Sequence, residues 1–343
     1  IIYIFISMST PEARSNFINA STVCGVGSII SINLLCVLDS NCSLLFLSMC
    51  GDLKTVYLSI LVGRGIGPLI VAPVLLTVLT ISSVDASAAE FISDWSEDER
   101  ANITLKDLLL MSSGLNEDGN DGTSMYIGVR DGNDQRTAVD NVLFSINRTV
   151  NPERARWLGA EYTWKYANAD SQIIGEIIER SSNQSLFDFA DDNLFSKINV
   201  TAAWWTDAFS NYMPWCCLDM TSRDFARFGL LYARDGKWGD IQVVPSDYVI
   251  ESTVPSIVIS EDLPLGYGYQ WWPDRSGKWF AAKGSRSNNI YVHSGLDIVV
   301  VRNSLYTRIG NSNSREDGSY HSTEFPAAWD DSEFFNLVIE SVN

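Results

Sequence analysis

Apolar and polar positions alternate with recognisable periods only from about residue 83 onward. The run Ile103–Met111 has helical spacing, with Thr104 as its N-cap, Asp107 three residues on and Gly114 as a stop. Asp170–Ser182 repeats that design. Ile173, Ile174, Ile177 and Ile178 form one apolar face, and Glu176 and Arg180 make an i,i+4 pair. A second capping pattern, Thr221–Asp224, precedes Phe225, Phe228, Leu231 and Tyr232 on one face, and Gly236 ends that helix. The period then changes. Asn289–Val292 and Leu296–Arg302 read as two strands joined at Ser294–Gly295. Phe334, Leu337 and Val338 predict a closing C-terminal helix. Helices in the middle and strands late indicate an α+β domain rather than a regular βαβ alternation.

Residues 1–82 have a different character, apolar and rich in Ser, Cys and Leu. Their three basic and three acidic side chains cancel, so the whole net charge of −18 falls on residues 83–343. So acidic a surface repels phosphate backbones and argues against a nucleic-acid partner. Ile66–Ile81 is uncharged but interrupted by Pro68 and Pro73, and it falls short of the roughly 20 residues a spanning helix needs. Arg64 ahead of this run and Ala86-Ser87-Ala88 after it resemble a signal segment, yet its distance from the first residue argues against one. The organisation expected is an atypical segment over 1–82 and one folded domain over 83–343, with membrane contact through 66–81 a lesser alternative.

The six cysteines have no metal-ligand spacing, Cys216 and Cys217 are adjacent, and the chain has two histidines, so no metal and no cofactor is expected. His293, beside the expected turn, and His321, in a polar stretch, read as surface residues. Trp204, Trp205, Trp271 and Trp272 could line a cleft or pack in a core.

Three stretches together carry a resemblance: Ile103 to Leu115, ending Ser112-Ser113-Gly114-Leu115; Tyr166-Ala167-Asn168 with the helix after it; and Cys216 to Gly229. In this order and spacing they resemble the serine β-lactamase and penicillin-binding-protein-like superfamily. The branch is that of class C-like esterases and 6-aminohexanoate-dimer hydrolases, over about residues 83–343. The resemblance implies an antiparallel sheet flanked by helices plus a helical subdomain, and a small amide or ester substrate hydrolysed through an acyl-enzyme. A periplasmic or secreted location is also implied. It assigns Tyr166 the role of proton shuttle and Asn168 that of positioning the substrate, as the family's Tyr-x-Asn motif does. Taken alone, Tyr166 could be a core aromatic and Asn168 or Asp170 a helix cap. The oxyanion edge should fall at Lys283-Gly284-Ser285. Family members carry a second glycine there, where this chain has Ser287, and Arg286 replaces a smaller polar ring.

The family's nucleophile is a Ser-x-x-Lys pair, one helical turn apart so that amine faces hydroxyl. No Ser-x-x-Lys occurs in the sequence. Counting back from Ser83-Val84-Asp85 puts the pair near Val62 and Gly65, in a proline-containing stretch poorly suited to a helix. Ser59 and Lys54 stand nearby in the reverse order. Two accounts fit: a mistranslated or rearranged N-terminus on a serine hydrolase, or a diverged relative that binds ligands without catalysis. The abrupt change of composition at Ser83 favours the first, and an Ser-x-x-Lys helix in another reading frame upstream of codon 83 would establish it.

Overall fold

The computed structural model describes residues 83–116, 139–284, 288–304 and 330–342, together with the backbone of short strands at 2–8, 18–24, 28–34, 56–58, 64–66, 306–308 and 320–322. The strands that organise the sheets are β1 (Ile2–Met8), β2 (Val56–Leu58), β3 (Arg64–Ile66), β4 (Ala202–Trp204), β5 (Leu218–Thr221), β6 (Trp272–Pro273), β7 (Phe280–Gly284), β8 (Asn288–His293) and β9 (Ile298–Ser304). The α-helices are α1 (Leu105–Leu109), α2 (Asn141–Ile146), α3 (Asn168–Ser182), α4 (Leu186–Ala190), α5 (Ser222–Ala233), α6 (Ser246–Thr253) and α7 (Asp331–Val342).

The main sheet runs β6-β7-β8-β9-β1-β2. Its first four strands are antiparallel, as expected, whereas β1 joins β9 in parallel and β2 joins β1 in parallel. The side chains of β8 and β9 alternate between two faces with the period of two that a pleated strand imposes. Ile290, Val292, Val299 and Val301 join the core that holds Phe225, Phe228 and Leu231 of α5. Tyr291, Ile298 and Val300 form a second core with Phe335 and Val338 of α7. The sheet is thus covered on both faces. Gly229 sets the spacing on the α5 side, since a Cβ there would lie 2.7 Å from Val299 and 2.8 Å from Ile290. The turn between β8 and β9 is a short 3-10 segment, Ser294–Leu296, in which His293 Nδ1 accepts the Leu296 N–H at 3.2 Å. The left-handed residue is Asp297 (φ 52°), not Gly295.

The helical subdomain gathers α1 to α4 around Ile173, Ile174, Ile177 and Ile178, all fully buried as the periodicity predicts. Both expected caps form: Thr104 and Asp107 make a reciprocal capping box, and the Thr221 side chain accepts the Asp224 N–H. A smaller sheet, β3-β5-β4, lies beside α5. The segment where a nucleophile helix was expected therefore contains an extended piece, with Arg64 opposite Thr221 and Ile66 opposite Asp219. Ser59, Lys54, Val62 and the remainder of 67–82 lie outside the described residues. Among the described residues no helix is long and apolar enough to cross a membrane. His321 falls in a strand, Tyr320–Ser322, paired with Tyr306–Arg308, rather than in a loop.

Candidate active site

The Tyr166-Ala167-Asn168 segment is held by the turn that follows α1. Met111 adopts a left-handed backbone (φ 55°) and is buried. Its carbonyl accepts the Lys165 N–H at 2.8 Å and its Sδ accepts the Ala167 N–H at 3.4 Å, so the residues on either side of Tyr166 are fixed by one methionine. Two residues on, Ser113 Oγ donates to Asp170 Oδ1 at 2.9 Å, and Arg148 Nη2 donates to the same oxygen at 2.7 Å. Asp170 and Arg148 are both buried. Burial pushes the Asp170 carboxyl above its ordinary range, opposed by the attraction of Arg148 and the hydrogen bonds it receives. Gly114 completes the turn: its φ is +72°, and a Cβ would meet Ala155 Cα at 2.9 Å.

Helix α3 starts at Asn168 with Ala167 as N-cap and no side-chain capping bond. Asp170 spends its bonded carboxylate oxygen on Ser113 and Arg148. The reading of Asn168 or Asp170 as a cap is thereby overturned, and Asn168 is left half-buried at the first helical position.

Tyr166 is half-buried, with its ring centroid 6.1 Å from that of Trp272. Burial pushes its phenol above the ordinary tyrosine value, which itself already lies well above neutral pH. Trp272 is the centre of an aromatic group. Tyr267 meets it edge-on at 5.1 Å and Trp164 at 6.2 Å. From the sheet side the Lys283 ammonium approaches to 5.0 Å from the indole centroid. The register explains this approach: Trp272 pairs with Ala281, and Lys283 lies two residues farther along the same face of β7.

Lys283 also makes an ion pair with Asp331 at 2.7 Å, so its ammonium is engaged by both a carboxylate and the indole. Asp331, the first residue of α7, accepts at Oδ1 from Asn289 Nδ2 at 2.9 Å and from the Tyr291 hydroxyl. Asn289 turns its own Oδ1 to the Gly284 N–H at 3.2 Å. The edge assigned to oxyanion binding is thus tied through one amide side chain to the start of α7, and an incoming oxyanion would compete with Asn289 for that N–H. Ser285 lies outside the described residues, as do Arg286 and Ser287.

Of the expected site residues, Tyr166 and Lys283 share one indole, Gly284 follows Lys283, and Asn168 sits at the head of the helix after Tyr166. Sequence reasoning missed Asp331, Asn289 and Arg148. Only Ser113 carried a signal, through its place in the Ser-Ser-Gly-Leu stretch. The tryptophans divide: Trp271 and Trp204 are core, while Trp272 belongs to the site. No group of three or more His, Cys, Asp or Glu among the described residues could hold a metal ion.

Comparison with known proteins agrees with this architecture. The Beta-lactamase family model matches residues 81–307, well over half of the sequence, and the chain belongs to that family. A candidate 6-aminohexanoate-dimer hydrolase from Bacillus anthracis superposes with a TM-score of 0.59 at 18% identity, covering 81% of this chain and 71% of the other. A candidate beta-lactamase from Bacteroides dorei gives a TM-score of 0.52 at 15% identity, covering 79% and 81%. At these identities the likeness is one of fold. The chain matches no curated protein sequence.

Proposed function

We propose that residues 83–343 form a serine-hydrolase-type domain that cleaves a small amide or ester through an acyl-enzyme. The observation that carries this reading is the Tyr166 ring set against the same indole as the Lys283 ammonium. A neutral phenol is a proton donor, so Tyr166 serves the leaving group first: as the acyl bond to the departing nitrogen or oxygen breaks, the phenol supplies its proton. Asn168 positions the substrate carboxamide or ester from the head of α3. The Lys283-Gly284-Ser285 edge is the side at which negative charge on the carbonyl oxygen is stabilised, the Gly284 N–H exchanging Asn289 for the oxyanion. The hydroxyl to be acylated comes from outside the Tyr-x-Asn and strand-edge elements.

A second reading is favoured by a specific feature of the sequence, the lack of any Ser-x-x-Lys: a ligand-binding module that retains the cleft without the chemistry. A fluorophosphonate probe, followed by peptide mapping, separates the two, alongside turnover of a chromogenic ester and a chromogenic cephalosporin. Labelling of a single serine, with turnover reduced in Tyr166→Phe, supports the hydrolase. Neither labelling nor turnover removes it and leaves the binding module.

A further inference from the structure

Cys216 and Cys217 are joined to each other by a disulfide. We propose that this adjacent pair is a reaction site for dithiol reductants, and that its opening is transmitted through Trp215 to the Tyr166-Ala167-Asn168 segment. The inference does not depend on the hydrolase reading.

The surroundings of the pair support it. Cys216 is half-buried and Cys217 is 4% exposed, so an attacking thiolate reaches the Cys216 sulfur first. Cys217 is held at φ 67°, a left-handed backbone that L-residues seldom adopt, and opening the small ring frees it to leave that region. Trp215, the residue before the pair, packs against the Met111, Ala167 and Tyr267 cluster and also against Phe144 and Ala169. It thus packs on the two apolar clusters that contain Ala167 and Ala169, the residues on either side of Asn168. The carbonyls of the pair are structural as well: Cys216 accepts from Trp204 Nε1 at 3.3 Å and Cys217 from the Trp205 N–H at 3.1 Å.

The step is ordinary thiol–disulfide exchange. One thiolate of the reductant bonds to the Cys216 sulfur as the bond to Cys217 breaks, and the Cys217 sulfur takes up a proton. The second thiol of the reductant then displaces Cys216, which is also protonated. Two electrons and two protons pass from the dithiol, which leaves as its own disulfide. A monothiol stalls after the first step, because the adjacent Cys217 thiol expels it at high effective concentration.

Native-state alkylation of the full chain tests the site. Trypsin releases Ile198–Arg223, whose only cysteines are this pair. The expected result is no alkylation without reductant, two alkyl groups after dithiothreitol, and little change with a monothiol at equal thiol concentration. Alkylation before reduction, or a peptide still closed after dithiothreitol, overturns the site. The link to Trp215 is read by tryptophan emission, which should change on reduction in the parent and by a clearly smaller amount in Trp215→Phe, where Trp204 and Trp205 still bond the carbonyls of the pair. An equal change in both refutes the link. If emission is unchanged in a reduced parent, or changes equally in the Cys216→Ser/Cys217→Ser protein, the transmission is wrong.

Discussion

Ser113 and Asp170 are 57 residues apart in sequence, yet the serine hydroxyl donates to the aspartate Oδ1 at 2.9 Å inside the protein. This bond joins the turn after α1 to the first turn of α3, and Tyr166 lies on the chain between them. It accounts physically for why the Ser-Ser-Gly-Leu and Tyr-x-Asn stretches occur together: one grips the other.

The buried Arg148–Asp170 pair should be worth far more as a pair than either half alone. Arg148→Met strands a carboxylate whose other oxygen has no hydrogen-bond partner among the described residues. Breaking a buried pair from one side costs about 3–5 kcal/mol. Arg148→Met/Asp170→Leu removes both charges and should recover a large part of that loss. Urea unfolding of the two variants measures it, and a double variant no more stable than the single one would refute the argument.

Two glycines stand where a side chain has no room, for different reasons. Gly114 combines a positive φ with a Cβ position 2.9 Å from the Ala155 backbone, which cannot move aside easily. Gly229 is crowded by Val299 and Ile290 side chains, which can shift by rotation. Overpacking typically costs about 1–3 kcal/mol, so Gly229→Ala should fall in that range and Gly114→Ala should be the more damaging. Thermal midpoints of the two alanine variants decide the order.

The helices and their caps were legible in the sequence because they rest on local chemistry: Thr104 with Asp107, Thr221 with Asp224, and the isoleucine face of α3 all lie within a few turns. The β8–β9 hairpin was legible for the same reason, although its left-handed residue is Asp297. The Tyr166 and Lys283 assignments came from motif resemblance. What holds them did not show, because Arg148 with Asp170 and Lys283 with Asp331 are contacts between distant segments, with no periodicity to betray them. Trp272 was one of four candidate tryptophans, and only the β6–β7 register sets it beneath Lys283.

Asp331 should control how firmly α7 closes over the sheet. Its carboxylate receives Lys283, Asn289 and Tyr291, and replacing it by alanine leaves these partly buried donors unanswered. A loss of about 1–3 kcal/mol is expected for stranded buried polar groups. The C-terminal helix should then become an early site of limited proteolysis. Unchanged stability and protection in Asp331→Ala would show that the apolar contacts of Phe335 and Val338 hold α7 alone.

Glu179 offers a pH test of packing between α3 and α4. Its Oε1 accepts the Leu186 N–H at 2.7 Å, and burial pushes its carboxyl above the ordinary value, with the neighbouring Glu176 charge adding to the shift. The Leu186 hydrogen bond opposes both. A carboxyl that keeps its proton to higher pH when folded gives the native state more bound protons than the unfolded chain. Stability from this group is therefore present at and below the ordinary carboxyl range, near pH 4.3, and falls as pH rises through the raised value. Glu179→Gln retains an oxygen for Leu186 but cannot ionise. Relative to this variant, the parent should lose stability between pH 4 and pH 7 in urea unfolding at matched ionic strength. A parent that gains on the variant over that interval would mean that the Leu186 bond outweighs burial.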